Sequence, residues 1–551
     1  MKNQDNINAY IRQALVDNWE RLALTDFQGV SYQYRDVARK IVKLHILFEQ
    51  AGLKPGDKIA LCGRNCSQWA VALLASLTYG SVAVPILHDF KPDNIHHLVA
   101  HSEARLLFTD EHTWENLDTT HMPCLEGVLL IKDYSLLYAK RPSLTKAREN
   151  LNRLFGERYP ERFTAGELKF FAPRPDGLAL INYTSGSTGF SKGVMLTYDN
   201  LWSNLQFCID GLTFLNPGDN MICMLPLAHM YGLMVELLHT FVKGCHIYFL
   251  TRTPSPKVIM DAFAEVRPKL IVAVPLILEK IVKTRIFPVL DKPLMKFLLH
   301  LPYVDDKVLG KVREKMMAVF GGNLREMIIG GAGLNKDVES FLRRIRFPYT
   351  VGYGMTECGP LITYSPWDAQ RPGSCGRLAP RMECRIESSD PERTPGVLWV
   401  RGRNVMKGYY KNTDSTSAVF DKDGWMNTGD ICQLDPDGFL YIRGRDKNMI
   451  LGPSGQNIYP EEIEQQLNNL PYTGESLVVS RDGRLVALVY PDMDAVTREG
   501  IGEERLRAIM DENLKTLNTT LPAYSQLSEI KINHEEFEKT PKRSIKRYLY
   551  N

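Results

Sequence analysis

A chain of 551 residues with 44% apolar, 24% charged and 10% aromatic residues has the composition of a soluble α/β protein, and at about 150 residues per domain its length points to two to four domains. The 67 Lys plus Arg exceed the 64 Asp plus Glu by three, so the net charge of +3 provides no general attraction to nucleic acid, whose binding rests on phosphate neutralisation. Ten scattered cysteines without a Cys-x-x-Cys pair argue against a disulfide framework or a zinc cluster and favour reduced thiols in a cytoplasmic protein.

The first ten residues are polar and carry no hydrophobic core of a signal peptide. From Ser31 the text alternates: a helix over residues 35–51, the turn Leu53-Lys-Pro-Gly-Asp57, then a strand at 58–62. Residues 65–87 contain no charge and are long enough to span a bilayer. Ser76, Thr78, Gly80 and Pro85 interrupt the run, so it reads as a helix over 67–79, a stop at Gly80 and a strand over 81–86. No transmembrane segment is expected, and peripheral contact with a membrane stays open.

His97 and His101 fall one turn apart on a helix starting near Asp93, without a third ligand nearby, which favours a helix surface over a zinc site. Apolar β-branched runs follow at 105–109, 127–131, 178–183, 221–224, 245–249, 270–274 and 327–329, and their alternation with helices implies mainly parallel sheets between helices. After about residue 379 short strands and turns such as Asp435-Pro-Asp-Gly438 indicate a β-rich subdomain. Past Arg445 a compact α/β pattern begins, with helices at 460–470 and 503–517 and strands at 475–480, 485–490 and 529–532. The expected division is a large domain over 1–445 and a small C-terminal α/β domain over 446–551.

The strongest chemical signal follows the apolar strand at 178–183. Thr184, Ser185, Gly186, Ser187, Thr188 and Gly189 lead through Phe-Ser to Lys192. Glycines let backbone N–H groups turn toward an anion, hydroxyls add donors and the lysine adds charge, a recipe for holding phosphates. It is not a Walker loop, which needs Gly before the Lys and Ser or Thr after it, and a Ser/Gly-rich surface turn is the plain alternative.

Tyr183 to Val194 closely resembles the phosphate loop of the adenylate-forming superfamily: acyl-CoA synthetases, nonribosomal peptide synthetase adenylation domains and beetle luciferases. Further matches follow in order: Leu225-Pro-Leu-Ala-His229, Gly330-Gly-Ala-Gly333, Gly352-Tyr-Gly-Met-Thr-Glu357, Trp425-Met-Asn-Thr-Gly-Asp430, Gly444-Arg-Asp-Lys-Asn448 and Gly455-Gln-Asn-Ile-Tyr-Pro-Glu-Glu462. The resemblance covers nearly the whole chain and is most like long-chain fatty acid CoA ligases. It implies ATP-dependent activation of a medium- to long-chain fatty acid through acyl-AMP to its coenzyme A thioester, with ATP, Mg²⁺ and CoA required.

The same resemblance implies residue roles. Lys192 offsets pyrophosphate charge, Thr356 donates to the α-phosphate and Glu357 is a hard ligand for Mg²⁺. Tyr353 and Gly354, with Gly331, Ala332 and Gly333, frame adenine, while Asp430 and Arg445 hold the ribose. His229 belongs to the carboxylate and thiol path, and Lys447 matches the hinge between domains. The segment at 225–230 has no acid to pair with an amino group, which favours an apolar acyl substrate over an amino acid.

One departure stands out. The family carries a lysine near the C-terminus that reaches the α-phosphate, and here Thr540-Pro-Lys-Arg-Ser-Ile-Lys-Arg547 places Ser544 at that position. Lys542 and Lys546 share its face in an extended segment and are the expected substitutes. Transfer of another carboxylate to a carrier protein, or a nucleotide- or acyl-binding homologue with impaired chemistry, are the alternatives. The basic run at 539–547 is a weak nucleic-acid signal, and no nucleic-acid partner is expected.

Overall fold

Apolar β-branched segments that are buried on both faces need helices above and below, and this chain builds its main sheet in that way. The computed structural model describes residues 6–184, 192–251, 256–290, 292–293, 304–451, 456–481, 483–540 and 545–550. Eight strands run in the order Gly408–Tyr409, Lys192–Thr197, Leu178–Thr184, Val82–Ile86, Lys58–Cys62, Ala104–Thr109, Gly127–Leu130, Leu136–Ala139. The inner pairings are parallel and the two flanks antiparallel.

Helix Ser67–Tyr79 occupies the first half of the uncharged stretch, and Ser67 through Thr78 are all buried. It ends on Gly80 at φ 91, where a Cβ would lie 2.7 Å from the Phe171 ring, so glycine alone fits this stop. The stretch that is long enough for a bilayer therefore lies in the protein core. Among the described residues no helix is long and apolar enough to cross a membrane.

Two smaller sheets support the same core. Asn220–Cys223, His246–Phe249, Leu22–Asp26 and Ser31–Gln33 form one, and the parallel strands Leu270–Ala273, Glu326–Ile329 and Tyr349–Val351 the other. The β-rich expectation is met by the antiparallel sheet Met382–Glu387, Gly396–Gly402, Met426–Leu434, Leu440–Arg445. Its last hairpin closes where Asp435 accepts from the backbone of Asp437 and Phe439 and Gly438 takes φ 81.

C-terminal to Arg445, helices Pro460–Leu467 and Glu503–Thr520 pack on the sheet Thr473–Arg481, Arg484–Pro491, Glu529–Ile532. Ile463, Leu467, Val478, Val489, Met510 and Leu517 close an apolar cluster separate from the main one. The first helix stops at Leu467, short of the expected end, and its last turn is closed by Asn468 and Asn469 ahead of Pro471. The second runs past the expected end to Thr520, immediately before Leu521 and Pro522.

Candidate active site

The antiparallel register of Leu178–Thr184 and Lys192–Thr197 pairs Thr184 with Lys192, bringing both ends of the glycine-rich motif to one edge of a cavity of about 2650 Å³. Ser185, Gly186, Ser187, Thr188 and Gly189 lie outside the described residues. The Lys192 ammonium stands 5.0 Å from the centre of the Tyr409 ring, a cation–π contact created because Tyr409 pairs with Val194 in the neighbouring strand.

Tyr409 links that lysine to the next motif. Its hydroxyl donates to Glu357 Oε1 at 3.0 Å, and the Met406 N–H donates to the Glu357 carbonyl at 2.8 Å. Burial and the nearby Glu357 charge raise the Tyr409 pKa, which keeps its O–H a donor. Thr356 and Glu357 sit on the single turn Thr356–Cys358, which Gly359 ends at φ 64. With one carboxylate oxygen engaged, Glu357 retains lone pairs for a hard cation. Mg²⁺ takes one or two carboxylates and keeps water or phosphate oxygens for the rest, and among the described residues no cluster of three metal-binding side chains competes for it.

Asp430 and Arg445 are cross-strand partners, and the Arg445 Nε lies 2.7 Å from Asp430 Oδ1. The Tyr353 hydroxyl donates to Asp430 Oδ2 at 2.5 Å. Asp430 is only 3% exposed, and burial pushes its carboxyl above the ordinary range while Arg445 and Tyr353 pull it down. The expected adenine-facing Tyr353 lines the cavity together with Gly354, and its hydroxyl has the further task of aiming Asp430.

Gly331, Ala332 and Gly333 line the same cavity, with Gly331 at φ 87. Helix Pro460–Leu467 covers this edge, since Gln465 Nε2 donates to the Leu334 carbonyl at 2.8 Å. His229 lines the same cavity, whose lining also includes the apolar side chains of Leu212, Val235, Leu250, Ile259, Leu290 and Phe320. Its segment is held by Asn65, which donates to Leu225 O at 2.7 Å and accepts from Leu227 N at 2.9 Å, and by Asn182, which donates to Ala228 O at 2.8 Å.

Lys447 follows the strand Leu440–Arg445 on the turn Asp446–Asn448 and borders the cavity, where burial and then Arg445 lower its pKa. Lys546 also lines the cavity, and its ammonium lies 3.1 Å from Glu538 Oε2. Lys542 and Ser544 lie outside the described residues. His97 and His101 do share a helix face, their rings stacked at 5.7 Å, and His101 Nδ1 meets the Tyr183 hydroxyl at 2.7 Å. Two participants have no role assigned from the sequence: Tyr409, and Glu461, which lies in the motif that ends at Glu462 and accepts from Asn448 Nδ2 at 2.6 Å beside the turn Asp446–Asn448.

Comparison with known proteins adds to this geometry. The profile of the AMP-binding enzyme family matches residues 11–410. Long chain acyl-CoA synthetase 5 of Arabidopsis thaliana is 27% identical over 505 residues, 84% of this chain and 74% of the plant protein. Luciferin 4-monooxygenase of Photuris pensylvanica is 28% identical over 461 residues, 80% of this chain and 75% of the firefly protein. The crystal structure of ATP-bound MatB from Rhodopseudomonas palustris superposes with a TM-score of 0.75 at 24% identity, covering 99% of this chain and 98% of that one, a likeness of fold.

Proposed function

This chain belongs to the AMP-binding enzyme family, and from that premise we propose that it activates a medium- to long-chain fatty acid with ATP and passes the acyl group to coenzyme A. In this reading a fatty carboxylate attacks the α-phosphorus of ATP, giving acyl-AMP and pyrophosphate. The CoA thiol then attacks the acyl carbon, forming the thioester and releasing AMP. The observation that carries the reading is that one cavity is lined both by Lys192, Glu357, Asp430's partner Arg445 and Gly331 and by aliphatic and aromatic side chains such as Leu212, Val235 and Phe320.

Each described residue has a task in it. Asp430, aimed by Tyr353 and Arg445, accepts from ribose hydroxyls, and Gly331 to Gly333 give adenine close backbone approach. Lys192 and Thr184 meet the phosphates from the sheet edge, and Thr356 donates to the α-phosphate. Glu357 would hold Mg²⁺, which when bound would supply electrostatic neutralisation of the leaving pyrophosphate. The deciding experiment is an AMP and thioester assay over carboxylates of increasing chain length, with and without CoA. Formation of AMP and thioester from fatty acids supports the reading, and absence of pyrophosphate release over fatty, aryl and amino acids overturns it.

The reading also includes a hinge at Lys447 between a domain of residues 1–445 and one of 446–551. Support comes from the separate apolar cluster of the C-terminal residues and the short turn that follows Arg445. Lys447→Pro fixes φ at the turn and is expected to slow thioester formation several-fold more than adenylation. Single-turnover measurement of the two half-reactions checks this, and equal loss in both removes the hinge role.

Lys542 or Lys546 supplies the cation that Ser544 lacks. Support comes from the place of Lys546 on the cavity wall, where its contact with Glu538 is a partly exposed and therefore weak ion pair. One of Lys542→Ala and Lys546→Ala is expected to slow adenylation, with recovery on adding Ser544→Lys. Wild-type adenylation in both alanine variants removes the proposal.

A further inference from the structure

The wide-turned helix Gly232–His239 is buried along its whole length, and it contains one acid. Glu236 is 0% exposed, so its carboxyl group must find partners within the protein. Oε1 accepts from the Met224 N–H at 3.2 Å and Oε2 from the Leu225 N–H at 3.0 Å. Those two amides mark the point at which the chain leaves strand Asn220–Cys223 and enters the Leu225 to His229 segment on the cavity wall.

Downstream the same segment is tied by Asn65 at Leu225 and Leu227 and by Asn182 at Ala228. Glu236 therefore joins the half-buried Asn65 and the buried Asn182 in fixing the backbone on the approach to His229. Asn65 and Asn182 come from other parts of the main fold, whereas Glu236 lies on the helix that follows His229 in the chain.

We propose that Glu236 is a positioning residue, which sets the start of the Leu225 to His229 segment and thereby the place of His229 in the substrate and thiol path. The activity part of this statement rests on the ligase reading given above, and the placement part does not.

The chemistry of the contact gives a sharp variant. Burial pushes the Glu236 carboxyl up to about 8, while the two amides and Cys223 pull it down, so both protonation states occur near neutral pH. Either state keeps two acceptor oxygens for the two N–H groups. The amide of Gln, nearly the same in volume, keeps one oxygen and turns a donor toward the other N–H. A buried donor left facing a donor forfeits its hydrogen bond, and the segment must shift to relieve it.

The test uses the full chain with histidine labelled at Cε1, and assigns the His229 signal by its loss in His229→Ala. Glu236→Gln is expected to move the His229 signal and leave that of His45, which is buried against Ala75 and Thr78 away from the segment, in place. In the same variant the rate of thioester formation from acyl-AMP and CoA is expected to fall about tenfold with KM for ATP unchanged. Should the Gln variant fold poorly, Glu236→Asp retains both acceptor oxygens on a shorter stem and is read by the same signals.

An unmoved His229 signal overturns the proposal, as does an equal displacement of the histidine signals throughout the chain. A wild-type chain without ligase activity overturns the proposed function, and the His229 signal still decides the role of Glu236.

Discussion

Replacing Glu357 with Ala is expected to lower the rate of acyl-AMP formation about 10²- to 10³-fold, the loss associated with removing one fixed electrostatic stabiliser from a transition state. The geometry allows the charge and the hydrogen bond to be separated. Glu357 accepts from Tyr409 through one oxygen, and Tyr409 in turn lies under the Lys192 ammonium. Glu357→Gln keeps an oxygen for the Tyr409 hydroxyl and removes the negative charge that a hard cation needs. If the charge is what matters, Gln and Ala are similarly slow in an ATP–pyrophosphate exchange assay. If the residue serves only to orient Tyr409, Gln is near wild type. An unchanged rate in both variants removes Glu357 from the site.

The second large effect is expected at Asp430. Asp430→Ala leaves the buried Tyr353 hydroxyl without its acceptor and the partly exposed Arg445 without its ion partner. At about 1.5–3 kcal/mol for a hydrogen bond to a charged group, ATP affinity is expected to fall about 10- to 100-fold, with a lower melting temperature as well. Asp430→Asn keeps the shape and one acceptor, so it is expected to recover much of the melting temperature and little of the nucleotide affinity. Calorimetric titration with ATP and thermal unfolding, performed on both variants, check the two effects separately. Wild-type affinity in Asp430→Ala shows that the ribose is held elsewhere.

The fold is legible where one local rule dominates. Helix Ser67–Tyr79 and its stop at Gly80 follow from an uncharged run broken by glycine, and strand Lys58–Cys62 from a short apolar run after Pro-Gly-Asp. Helix ends near Leu467 and Thr520 shift because an asparagine turn or a proline, neither carrying a periodic signal, sets the last hydrogen bond. The site is legible as a set of motifs but not as a set of contacts. Asp430 opposes Arg445 only because a register shift between Ile431 and Cys432 aligns them across the hairpin, and nothing in the local sequence announces that shift.

Tyr409 is harder still. It reaches Glu357 across 52 positions, through a two-residue strand at the sheet edge, and a tyrosine pair after glycine carries no functional pattern. Glu236 carries the opposite signal, a single acid between the apolar runs 233–235 and 237–238, where a buried carboxyl group demands partners.

The size of the cavity has a consequence for solvent. A space of about 2650 Å³ has room for many water molecules. In the proposed reading an acyl chain against the apolar lining would return part of that solvent to bulk, and transfer of apolar surface out of water carries a negative heat-capacity change. Its binding would thus be written in the temperature dependence of the binding enthalpy. A nucleotide held mainly by charges and backbone amides would leave a much smaller trace of that kind, so the two classes of ligand would carry different thermal signatures.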